Sequence, residues 1–107
     1  MNIEIKTKNL TLTEALKKFT EEKIGSLKKF AKMSEILVFL EKETRHHRKG
    51  EIFKTKAEII FPGKKIMAEG EGDDLLLTVV EVKDKLQQEI KKYKTKKIDT
   101  RRRVKEL

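Results

Sequence analysis

Leu75, Val79, Val82, Leu86, Ile90 and Tyr93 recur three and four residues apart, tracing one helix face over about five turns. A helix with one apolar face gains most of its stability from the surface that covers that face. The rest of the chain must therefore supply an apolar sheet or a second helix.

The preceding segments supply both. NIEIK (2–6) alternates polar and apolar residues, so Ile3 and Ile5 share a strand face. In LTLTEALKKF, Thr11 with Glu14 has the spacing of a capping box, and Leu10 with Ala15 that of a hydrophobic staple. Leu12, Leu16, Phe19, Leu27 and Phe30 then predict a helix over residues 12–31, with Gly25 inside it and Lys23 close to its apolar stripe. EILVFLEKE (35–43) is apolar on both faces, as in a central strand, and RHHRKGE (45–51) is turn-like. In IFKTKAEIIF (52–61), Phe53, Ala57, Ile59 and Phe61 face one way, while Lys54, Lys56 and Glu58 face the other. Pro62-Gly63 marks a turn into a fourth strand, 65–72, and Asp73 is placed to cap the second helix, which the pattern carries to about residue 96.

The order is therefore β-α-β-β-β-α: an α+β fold with a four-stranded mixed sheet and two helices packed on one face. The short links join antiparallel strands, and the helical crossover makes the first strand parallel to its neighbour. Residues 1–97 read as one domain and 98–107 as a basic flexible tail.

Charge is distributed unevenly over the 107 residues, whose net charge is +9. Residues 1–90 carry 18 Lys/Arg against 16 Asp/Glu, whereas residues 91–107 carry nine against two. A nearly neutral body with a cationic end points to a polyanion. Stepping 100° per residue from Leu86, Lys85, Lys92 and Lys96 fall about 80–120° to one side, Lys83 and Lys94 on the other flank, and Lys91 nearer the back. Lys23 and the Lys85/Lys92/Lys96 row are expected to border one groove between the helices. The five Phe and Tyr93 fall on core positions, leaving no row of rings to stack unpaired bases. Phosphate and shape recognition of folded RNA is the better expectation.

Other functional classes find little support. With no cysteine there is no disulfide framework or thiolate metal site, as expected of a reducing cytoplasm. His46 and His47 lack a third ligand, Glu21/Glu22 and Asp73/Asp74 read as helix surface and helix start, and GEGDD is no phosphate loop. The expectation is a non-enzymatic chain without cofactor, metal, small-molecule substrate or membrane contact, monomeric when free.

EGDDLLLTVVEVKDKLQQEIKKYKTK resembles the ribosome hibernation-promoting factors, also called ribosome-associated inhibitors or sigma-factor modulation proteins. Glu71, Gly72, Asp74 and Leu75 match the family's E-G-x-D-[ML] element, and Asp84, Lys85, Leu86, Ile90, Lys92 and Lys94 its D-K-L-x-R-Q-[LI]-x-K-x-K element. Thr13, Ala15, Leu16, Lys17, Lys23, Ile24 and Leu27 match its first helix. The family tyrosine is replaced by Leu76, a frequent alanine by Leu77, the arginine by Gln88 and the basic residue before Leu27 by Ser26.

The resemblance implies a translation inhibitor that occupies the messenger and transfer RNA channel of the small ribosomal subunit, with Lys23, Lys85, Lys92 and Lys94 touching ribosomal RNA. Lys96 joins them from the helix geometry. It implies either a short-form protein or the N-terminal part of a long one. A general double-stranded RNA-binding module and a protein-interaction domain are the competing readings.

Overall fold

In the computed structural model the backbone is described over residues 2–30, 35–44 and 51–106, and the side chains over 3–30, 35–43 and 52–93. The elements are β1 (Asn2–Lys8), α1 (Glu14–Gly25), a 3-10 turn (Ser26–Lys29), β2 (Glu35–Thr44), β3 (Glu51–Phe61), β4 (Lys64–Gly72) and α2 (Leu75–Glu106). The four strands form one sheet in the order β1-β2-β3-β4, with β1 parallel to β2 and the other pairs antiparallel. This is the mixed α+β architecture expected from the alternating patterns.

Register explains the layering. Ile36 pairs with Ile59, Val38 with Ala57 and Leu40 with Thr55, while Ile66 pairs with Ile59. All of these are buried, together with Ile24 and Leu27 from the first helical segment and Val79, Val82, Leu86 and Ile90 from α2. The helices thus cover one face of the sheet. The other face carries Lys54, Lys56 and Glu58, which cross-link as Lys54–Glu43 and Lys56–Glu58.

Three local expectations are corrected. The cap of α1 is Thr13, whose hydroxyl accepts from the Leu16 N–H at 3.2 Å, rather than Thr11. Asn9 turns the chain at φ 60°, a conformation that Asn tolerates, and this delays the helix start. Asp74 rather than Asp73 caps α2, its Oδ1 accepting from the backbone of Leu76 and Leu77. The α-helical part of the first helical segment ends at Gly25, and the chain tightens into the 3-10 turn, where the Ser26 hydroxyl donates to the Lys23 carbonyl at 2.7 Å.

The second helix also runs further than its apolar stripe. It continues to Glu106 instead of ending near 96. Residues 76–106 contain no glycine or proline, and their many Lys, Arg and Glu residues are good helix formers, so nothing local stops the helix where its apolar stripe stops.

Candidate nucleic-acid interface

Two contacts seat α2 on the sheet. Gly70 of β4 lies under Val82, where a Cβ would come within 3.2 Å of that valine's Cγ2. At the other end Tyr93 stacks on Phe61, with centroids 5.1 Å apart, and the Lys64 ammonium sits 4.8 Å from the Tyr93 ring centroid. The helix therefore runs antiparallel to β4. Because α1 follows β1 and turns back along it, and β1 and β4 point the same way, the two helices are parallel to each other.

Parallel helices bring both C-terminal ends to one end of the domain. Lys23, Lys28, Lys29, Lys64, Lys91 and Lys92 gather there from α1, the 3-10 turn, the start of β4 and α2. Of these, Lys23, Lys28, Lys29, Lys64 and Lys91 make no ion pair among the described residues. Lys23 lies 5.7 Å from the Phe19 ring centroid and Lys29 5.3 Å from that of Phe30, so their stems follow apolar surface while the charges stay outside. Lysines at two helix C-termini also complement the partial negative charge there. Five such cations at one end exceed what two termini need, and the end is a surface suited to an extended polyanion.

The expected residues divide. Lys85 and Lys92 lie on the same flank of α2, as the helical angles require. Lys85, however, reaches the edge strand: it donates to the Glu69 carbonyl at 2.7 Å and pairs with Glu81 at 3.0 Å. The half-buried flank with Val80, Lys83 and Gln87 is the one turned to α1, and Lys83 keeps only 25% of its side chain exposed. Lys23 and Lys85 therefore do not share a furrow between the helices. Lys92 is freer, 71% exposed with Glu89 at 3.5 Å. The helical backbone passes through residues 94 and 96, whose side chains lie outside the described residues.

A depression of about 600 Å³ contains Lys54, Lys56 and Lys85 together with Glu41, Glu69, Glu71 and Glu81. Its mixed charge does not suit phosphate. Among the described residues no group of three or more His, Cys, Asp or Glu side chains is placed to hold a metal ion, and His46 and His47 lie outside those residues. Among the described residues no helix is long and apolar enough to cross a membrane.

Lys28, Lys29 and Lys64 were not singled out by sequence periodicity, because each lies outside the long apolar stripe. The signal that finds them is topological: two helices that each return along like-directed strands must end together.

The family of the sigma 54 modulation protein / S30EA ribosomal protein matches this chain over residues 3–98. The chain belongs to this family. The ribosome hibernation promotion factor of Staphylococcus aureus (strain COL) is 31% identical over 99 residues, which are 90% of this chain and 50% of that protein. The chain thus spans about half the length of that curated relative. The Thermus thermophilus Protein Y N-terminal domain superposes with a TM-score of 0.70 at 20% identity, over 87% of this chain and 99% of that one. A ribosomal subunit interface protein from Coxiella burnetii gives 0.74 at 24%, over 89% and 99%. At these identities the two structures establish a shared fold.

Proposed function

We propose that this chain is a non-enzymatic ribosome-binding hibernation factor acting in the cytoplasm, and that it inhibits translation by occupying the messenger and transfer RNA channel of the small ribosomal subunit. The family match over residues 3–98 carries the reading. The clustered cations supply the physics: neutralising RNA phosphates releases condensed counterions, and this drives binding. The chain is a monomer when free, and residues 1–97 form the binding domain with 98–107 as a basic extension.

Lys23, Lys85, Lys92, Lys94 and Lys96 are the proposed ribosomal RNA contacts, joined by Lys28, Lys29 and Lys64, which lie with Lys23 and Lys92 at the C-terminal end of the helices. Lys92, 71% exposed with only Glu89 beside it, is more available than Lys85. Lys85 is held by the fold and contributes mainly to the local field, since a phosphate must compete with Glu69 and Glu81 for its ammonium.

Sedimentation of the purified chain with ribosomes through sucrose tests the reading. Co-migration with small subunits and intact ribosomes is expected. Binding to any RNA duplex with equal affinity would instead identify a general duplex-binding module, and a complex that survives ribonuclease would identify a protein-interaction domain.

A further inference from the structure

The end of α2 carries a charge pattern that the proposed contacts do not use. Tyr93 stacks on Phe61, the last residue of β3, so residues 94–106 carry the helix axis about 20 Å past the end of the sheet. The overall dimensions agree. The molecule is 60 Å long and 29 Å across, whereas the longest strand, of 11 residues, spans at most about 37 Å. Beyond the sheet, the backbone of α2 therefore stands as a wall at a corner with the end of the domain.

Helical stepping decides which positions lie on the inner side of that corner. Measured from Leu86, which is buried in the core, Lys97, Arg101, Lys94 and Lys105 fall at about 20°, 60°, 80° and 100°. Lys83 and Gln87, on the flank turned to α1, fall at about 60° and 100° by the same measure. The sector from 20° to 100° is thus the one between the sheet and the first helical segment, toward the end where Lys28, Lys29 and Lys64 stand. Asp99 and Glu106, the two carboxylates of the extension, fall at about 220° and 200°, on the far side. Four cations and no carboxylate share the inner sector.

Such a row works against the helix that carries it. Lys94 with Lys97, Lys97 with Arg101 and Arg101 with Lys105 are like charges three or four residues apart, and each pair repels. An anion lying along the row reverses the sign of that effect. We propose that Lys94, Lys97, Arg101 and Lys105 form one wall of a corner whose other wall carries Lys28, Lys29 and Lys64, and that a stretch of RNA backbone lies in it. The inference rests on the ribosomal reading and adds Lys97, Arg101 and Lys105 to its contacts. RNA in the corner meets cations on two sides, so binding depends on which face of the helix carries the charge. A tail acting through its net charge alone has no such dependence.

The test compares charge-matched double variants of the full chain in binding to purified small ribosomal subunits. Lys97→Glu/Arg101→Glu inverts the inner sector, and Arg102→Glu/Arg103→Glu makes the same change of charge at about 160° and 260°, outside it. The inner pair is expected to weaken binding about tenfold more than the outer pair. Ile98→Pro alters no charge but interrupts the helix within the wall, and is expected to weaken binding as well. Titration of the same variants with inorganic polyphosphate separates the corner from the ribosomal reading. Face dependence there without binding to ribosomes would sink that reading and keep the corner. Equal losses from the two pairs, or full affinity in Ile98→Pro, would overturn the corner whatever the chain does on ribosomes.

Discussion

Thr55 of β3 and Thr78 of α2 meet hydroxyl to hydroxyl at 2.8 Å, with both residues buried. Thr78 also donates to the Leu75 carbonyl at 2.6 Å, which commits its single hydroxyl proton. Thr55 is therefore the donor of the pair, and its proton has no other partner in that geometry.

Thr78→Val consequently leaves a buried donor unmet and is expected to cost about 1–3 kcal/mol. Adding Thr55→Val should recover much of that loss. A double-mutant cycle in urea measures the coupling, and additive losses would show that the two hydroxyls act independently.

Gly70→Ala would set a Cβ 3.2 Å from Val82 Cγ2 and 3.3 Å from the Thr78 carbonyl, which belongs to the helix backbone and cannot rotate aside. The expected loss is about 1–3 kcal/mol. In a domain of this size each kcal/mol lowers the melting temperature by about 4–8 °C, so a thermal scan resolves it.

Thr20 predicts the opposite sign. Its hydroxyl is buried and has no hydrogen-bond partner among the described residues. Thr20→Val removes a desolvated polar atom and keeps the branched shape, so the variant should be about 1 kcal/mol more stable by chemical denaturation.

Ribosome affinity should separate two lysines on one helix flank. Lys92→Glu removes a largely free charge and should weaken binding strongly while leaving the melting temperature nearly unchanged. Lys85→Gln breaks the link to Glu69 and should lower the melting temperature more than it lowers affinity. For the intact chain, with about six phosphates neutralised, affinity should fall roughly a thousandfold between 50 and 200 mM salt.

Ending the chain after Lys97 should leave cooperative unfolding intact, because every core residue among those described lies before it. The same truncation removes Arg101, Arg102 and Arg103, and the slope of log affinity against log salt should shrink by up to about three units.

The elements were legible wherever one period dominated: Phe53 to Phe61 for β3, and Leu75 to Tyr93 for α2. Caps were placed one or two residues early, because Thr11 and Thr13, or Asp73 and Asp74, are chemically equivalent until the entering backbone selects one of each pair. Lys85 and Lys92 look alike on a helical wheel, which omits the β4 carbonyl that captures one of them. The gathering at the helix C-termini escaped periodicity altogether, since Lys28, Lys29 and Lys64 belong to separate short segments that only the topology unites. The far end of α2 had no apolar pattern to reveal it, and intrinsic propensity carries it instead.

The parallel pairing of β1 with β2 has a temporal side. The β2–β3 and β3–β4 hairpins join neighbours along the chain, whereas Asn2–Lys8 must wait for an intervening helix and a distant strand before it has anything to bond to. This seven-residue strand is thus expected to seat late, on an outer position of the sheet where a single neighbour bonds it. By the same logic its backbone amides are expected to exchange with solvent sooner than those of β2 and β3, which have a neighbour on each side.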